Sequence, residues 1–411
     1  MVQKLKSPAV FFFTGALLIF ALVQFLIETG RLNAYWQTIL FWGAAMTMVS
    51  LGLNLIYGFN GQFSLGQFGF YALGAYTSAD ITWRWVRGDP SGLVVVIGGS
   101  ILALLFMWGV ASFLKRFYGV SVFTEFVFHA FATVAGFAIA VKYLRPLLGP
   151  AVYSFIQSLP EPVGRQIVFF LALLGGTAIA GIVSFLFGIP VLTLGSDYLG
   201  IATLGFTIIV KVLLDNSDTI LPFPEMKGAR GMVGIPKWTT WPWVFVCFMF
   251  VVLFMRNLLH SSVGRAIVSI KEDERAAALM GIDVARTKIL AFVVGSVFAG
   301  LAGGIRAHDQ GFLHPTMFGF LPSFNPLIIV VFGGLGSMTG TIITGFFWVF
   351  LLEGVLRLVL PTGFENWRYV IYPLVLLLLM LLRPQGLMGR YEIPFLRQTY
   401  PPVRKAAEAK A

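Results

Sequence analysis

Cysteine is almost absent. The 411 residues hold one, Cys247, inside an apolar run, which excludes an intrachain disulfide and a thiolate metal cluster. The four histidines (His129, His260, His308 and His314) stand without ligand spacing, so no metal or cofactor is expected. Charge is also scarce. Only 11% of the residues are charged, where a soluble chain carries about one quarter. No G-x-x-x-x-G-K-[ST] occurs, which excludes nucleotide hydrolysis through a P-loop. The stretch "GGLGSMTG" (Gly333–Gly340) has the wrong glycine spacing for a dinucleotide site, and no βαβ unit surrounds it. There is no G-x-S-x-G elbow, no H-E-x-x-H and no paired-carboxylate constellation. The chain is not expected to be an enzyme. Short alternating segments are missing as well, which excludes a β-barrel.

What the chain has in quantity is apolar sequence: 58% hydrophobic residues and a mean hydropathy of +0.86. Crossing a bilayer takes about 20 apolar residues per helix. Hydrophobic segments fall at 9–27, 35–57, 64–83, 92–114, 120–141, 166–188, 198–214, 241–255, 288–306, 323–336, 340–360 and 369–382. The expected fold is therefore all-α, a polytopic helical integral membrane protein. Segment 323–336 is short and bounded by glycines, so it reads as a broken or re-entrant helix. The start has a basic end and an apolar core but no small-residue cleavage site before Glu28 and Arg31, and reads as an uncleaved first span.

The net charge of +11 fits membrane ends, where basic residues hold topology and meet anionic headgroups of the bilayer. It does not call for nucleic acid, which needs a basic face with interleaved aromatics. With Lys4 and Lys6 in the cytoplasm, Lys115–Arg116, the stretch 256–288 and the basic tail all fall on that side. Ionisable residues within spans come in pairs at i,i+4: Glu125 with His129, Lys211 with Asp215, Glu353 with Arg357. Structural pairing explains them better than a proton relay, which weakens an ion-coupled carrier acting alone.

Three stretches carry more information. In "LGLNLIYGFNGQFSLGQFGFYALGAYTS" (Leu51–Ser78), glycines interrupt two apolar segments, and Asn54, Gln62, Ser64 and Gln67 add uncharged polar groups. A tight turn at the membrane surface would account for this; a polar, charge-free path for small solutes is the sharper reading. "LGSDYLGIATLGF" (Leu194–Phe206) opens another span, with Ser196 and Asp197 placed to cap it. "GRAIVSIKEDERAAALM" (Gly264–Met280) predicts one short amphipathic helix, stopped by Gly281. Three consecutive acids, Glu272, Asp273 and Glu274, face an anionic leaflet poorly, so a protein partner fits better than lipid. In "GSVFAGLAGGI", Gly300–Gly304 and Ala299–Gly303 have small-xxx-small spacing, read as ordinary helix packing.

Together these blocks, with "VVFGGLGSMTGTIITG" and the terminal "LLRPQGLMG", resemble the permease subunits of branched-chain amino-acid ABC importers, specifically the M-type partner of two homologous permeases. The resemblance covers most of the chain outside about 88–160, which reads as an insertion with two extra helices. It implies a permease domain over 1–390, a cytoplasmic coupling segment at 256–288 and a cytoplasmic tail at 391–411. It implies a coupling helix (Gly264, Arg265, Lys271, Glu272, Asp273, Glu274, Arg275, Ala276, Ala277 and Gly281) that docks on an ATPase subunit. Importers of this kind often carry Glu before the paired alanines, and here Arg275 stands there with Glu274 upstream. The implied partners are two ATPase subunits, a homologous companion permease and an extracytoplasmic solute-binding protein. That protein would face the loop 216–240, with Glu225, Lys227 and Arg230. The expected cargo is a branched-chain or other aliphatic amino acid, with urea or short amides as the alternative. The expected place is a bacterial or archaeal plasma membrane.

Overall fold

The computed structural model describes residues 8–116, 121–192, 196–220 and 226–359, with scattered positions from 370 to 397. The chain folds into α1 (Pro8–Glu28), α2 (Ala34–Leu53), α3 (Gln67–Val86), α4 (Ser91–Leu114), α5 (Val122–Ile139), α6 (Arg145–Gln157), α7 (Glu161–Val191) and α8 (Ser196–Asp215). A short α9 (Ser217–Ile220) precedes α10 (Trp241–His260), α11 (Ser262–Glu272), α12 (Glu274–Leu279) and α13 (Val284–Gln310). The last elements are α14 (Phe324–Gly333), α15 (Met338–Val349) and α16 (Leu356–Val359). Among the described residues, nine helical spans are long and apolar enough to cross a membrane. The chain is an all-α polytopic membrane protein.

Hydropathy and burial separate inside the bundle. α3 is as long as a span but carries Gln67, Ser78, Asp80 and Thr82, all buried. A helix wrapped by protein need not be apolar; one facing lipid must be. α1 shows the converse, being highly apolar with none of its span fully buried. It rests on α10 through Phe20, whose carbonyl accepts from Trp241 Nε1 at 3.1 Å.

Helix association in lipid depends on close packing, because burying apolar surface against protein gains little over burying it in lipid tails. Glycine provides that closeness here. α13 packs on α2, α3 and α7. A Cβ on Gly52 would lie 2.4 Å from Gly295 O, and one on Gly303 would lie 2.1 Å from Tyr71 O. Gly295, Gly300 and Gly303 of "GSVFAGLAGGI" are thus places where backbones meet.

Some boundaries differ from expectation. The segment at 120–141 continues as one 36-residue helical run, Val122–Gln157, through a π-helical stretch at Ala140–Leu144. α4 packs on it and on α7, which ties 88–160 to the body. The segment at 323–336 contains α14, ten residues long. At about 1.5 Å per residue it is too short to cross a bilayer, as a broken helix should be. The segment 369–382 lies mostly outside the described residues, as do the side chains of Ser196 and Asp197. Residues 391–397 do not hang free: Glu392 accepts hydrogen bonds from Met338 N (2.6 Å) and Thr339 N (3.1 Å) at the start of α15.

Candidate functional site

The charged stretch forms two helices rather than the single one its helix formers predict. Ser261 caps α11 by accepting from Gly264 N at 3.2 Å. Gly264 is required there, since a Cβ would meet Leu258 O at 2.1 Å. Ile267 and Ile270 are buried, and Arg265 donates to His260 O. The break falls at Asp273, whose backbone is extended (φ −157°, ψ 109°). Its carboxylate accepts from Arg275 N (2.9 Å) and Ala276 N (3.0 Å), starting α12. An aspartate able to cap a new helix outcompetes helix continuation. Gly281, at φ +85°, ends the unit as expected.

This pair is tied to the bundle at two points. Glu274 accepts from Lys288 Nζ at 2.7 Å, joining α12 to the start of α13. Lys271 Nζ donates to Gly58 O at 2.7 Å. Gly58 belongs to a π-helical stretch, Asn54–Phe59, that continues α2. Gly58 lies in the last turn of that helical run, where carbonyls have no partner within their own helix. Ala277 packs inward, while Leu279 and Met280 are 88% and 83% exposed. Arg275 lies one turn before Leu279. Among the described residues its guanidinium forms no hydrogen bond or ion pair, and Glu272 is likewise exposed.

The π-helical stretch sits in a dense knot. Asn54 Nδ2 donates to Ser337 O and Thr341 Oγ1, both at 2.9 Å, and Asn54 Oδ1 accepts from Gly336 N at 2.9 Å. A Cβ on Gly58 would stand 2.6 Å from Gly336 N. The other three residues read as a solute path are also buried. Gln62 Oε1 accepts from Asn60 Nδ2, and Ser64 Oγ accepts from Gly66 N. Gln67 has neither amide atom bonded among the described residues.

A cavity of about 770 Å³ opens at the other end of α13. None of Asn54, Gln62, Ser64 or Gln67 lines it; the neighbouring Phe68 does. Its charged lining is Arg306, Glu353 and Arg357. Arg306 forms a buried ion pair with Asp309 and lies 4.7 Å from the centre of the Trp42 ring. The sequence reading missed this pair because it sought i,i+4 spacing, and Arg306–Asp309 is i,i+3 at a predicted span end. Of the pairs it did name, Lys211–Asp215 forms at 2.6 Å. His129 instead donates to the Glu125 carbonyl, not its carboxylate.

The loop before α10 lies at the cavity end. Met232 and Val233 pair antiparallel with Leu313 and Phe312. Lys227 (φ 53°) and Arg230 are exposed; Glu225 lies outside the described residues.

A family model described as "Branched-chain amino acid transport system / permease component" matches residues 124–381. The chain is 28% identical to the high-affinity branched-chain amino acid transport system permease protein LivM of Salmonella typhimurium, over 92% of this chain and 74% of that protein. The figures for LivM of Escherichia coli are the same. LivH of Salmonella typhimurium, a permease protein of the same system, is 31% identical over 37% of this chain and 47% of its own length. No solved structure matches. With the family model covering 258 of the 411 residues and similarity to two permeases over 92% of its length, the chain belongs to the family of permease components of branched-chain amino acid transport systems.

Proposed function

We propose that the chain is one permease subunit of an ATP-driven importer, carrying branched-chain or other aliphatic amino acids across a bacterial or archaeal plasma membrane. A homologous companion permease completes the pore, two ATPase subunits bind the cytoplasmic face, and an extracytoplasmic solute-binding protein delivers the cargo. The loop with Glu225, Lys227 and Arg230 faces that protein. The relatives' names support amino acids over urea or short amides.

The observation that carries this reading is the α11–α12 pair. Leu279 and Met280 are large apolar side chains on a polar, charge-rich unit, and both are almost fully exposed. Exposed apolar groups rimmed by charge mark a protein contact. Arg275 belongs to the same face and provides a guanidinium for an acidic group on the ATPase; Glu272 provides the opposite charge. ATP-driven closure of the ATPases displaces α12. The Lys271–Gly58 bond passes that movement to the end of α2, and the Asn54 bonds pass it to the turn between α14 and α15. These elements open and close the cytoplasmic end of the path, in which Gln62, Ser64 and Gln67 take part.

Co-purification in mild detergent tests the reading. The tagged chain should bring down an ATPase subunit, and the double change Leu279→Ser, Met280→Ser should release it while the chain remains in the membrane. Failure of the wild-type chain to retain any ATPase, or full retention by the double variant, overturns the assignment.

A further inference from the structure

We propose that the 770 Å³ cavity is a binding site for the amino-acid zwitterion, with Arg306 as the carboxylate-recognising residue. This deepens the function proposed above and rests on the cargo named there.

The cavity has the make-up of a small-molecule site, which typically spans roughly 300–1,000 Å³ of apolar wall with a few convergent polar groups. Trp42, Met46, Phe68, Phe318 and Ile328 give it aliphatic and aromatic walls suited to an apolar side chain. Charge is confined to Arg306, Glu353 and Arg357. A carboxylate entering this space needs donors. The start of α14 borders the cavity, yet it offers none: the Phe324 and Asn325 amides already bond Leu321 O and Pro322 O, and residue 326 is proline. Gln310, Thr316 and Asn325 also line the space but are neutral, so the charged complement to a carboxylate falls on arginine.

Arg306 is suited to it. Its side chain is only 8% exposed, so water competes weakly for its charge. Asp309 engages Nη1, and the Trp42 ring and Asp309 together hold the guanidinium in place. The planar fork has five N–H donors, so one bond to Asp309 leaves others for a bidentate carboxylate. Glu353 supplies an acidic group on another wall for the ammonium end, and Arg357, more exposed, adds positive charge near the opening. A neutral solute such as urea or an amide would leave the arginine fork without its charged partner.

The single cysteine makes a direct test possible, because Cys247→Ala alone yields a cysteine-free chain. Leu321 lines the cavity and is 68% exposed. In the assembled importer carrying Cys247→Ala and Leu321→Cys, a membrane-impermeant methanethiosulfonate should label position 321. L-leucine at about ten times its dissociation constant should slow labelling roughly tenfold, as mass action requires; leucinamide at the same concentration should not. Arg306→Gln should raise the leucine concentration needed for the same protection roughly 10- to 100-fold, the worth of a hydrogen-bonded charge. The paired change Arg306→Gln, Asp309→Asn, which leaves no buried charge unpartnered, should do the same, with ATPase subunits still bound as the sign of a folded chain. Labelling unaffected by leucine, equal protection by leucinamide, or full protection in the paired variant overturns the inference. The coupling assignment fails separately: leucine protection in a chain that binds no ATPase would sink that assignment and leave this site standing.

Discussion

The two ends of the bundle are built in opposite ways. At the α11–α12 end, Asn54, Gly58, Gly336 and Lys271 lock three segments together through backbone contacts and hydrogen bonds under 3 Å. At the other end, residues of α2, α3 and α13 line a cavity of about 770 Å³. Both ends contain charged groups, but they use them differently. Lys271 is spent on a carbonyl of the same chain. Arg306, with one donor on Asp309, keeps donors facing open space. Under the proposed function, the closed end transmits force and the open end receives the solute.

The contrast can be broken at the packed end first. Gly58→Val should have the largest effect, because even its Cβ would collide with Gly336 N. Overpacking of this kind costs about 1–3 kcal/mol or more, and the expected result is a clear drop in thermal unfolding temperature in detergent. Asn54→Leu comes next. It strips Gly336 N of its partner, while Ser337 O keeps its bonds from Thr341. A buried unsatisfied group costs about 1–3 kcal/mol, so stability should fall measurably and uptake with it. The double change Leu279→Ser, Met280→Ser should leave the unfolding temperature of the isolated chain almost unchanged, since both side chains already face solvent; ATPase affinity, measured by titration, should fall about tenfold or more. Glu274→Gln should be the mildest. Its ion pair with Lys288 is half exposed, and such pairs contribute about 0–1 kcal/mol. A larger loss of chain stability in Glu274→Gln than in Asn54→Leu would reverse the ranking of the two kinds of contact.

The sequence made one side of this comparison far more legible than the other. Hydropathy marked most of the spans because lipid-facing helices must be apolar along their length, and the short α14 was visible from its flanking glycines. The polar stretch around Asn54 stood out because amides are scarce in apolar runs. What it did there was not visible, since Ser337 and Thr341 lie some 280 positions away. The break in the charged helix was hidden by good helix formers on both sides of Asp273; only the capping geometry of that aspartate produces it. The cavity was hidden for a different reason. Its walls come from four regions of the chain, and Arg306 looked like an ordinary basic residue at a span end until Asp309 and Trp42 were seen to hold it.

The central claim is that movement of the charged helix pair enters the bundle through Lys271. Substrate-stimulated ATPase activity of the reconstituted importer, compared between the wild-type chain and Lys271→Met, tests it most directly. Methionine keeps the length and apolar stem of lysine but cannot donate to Gly58 O. The account predicts normal assembly with the ATPase subunits and loss of most of the stimulation by leucine-loaded binding protein. Full stimulation in Lys271→Met would contradict it.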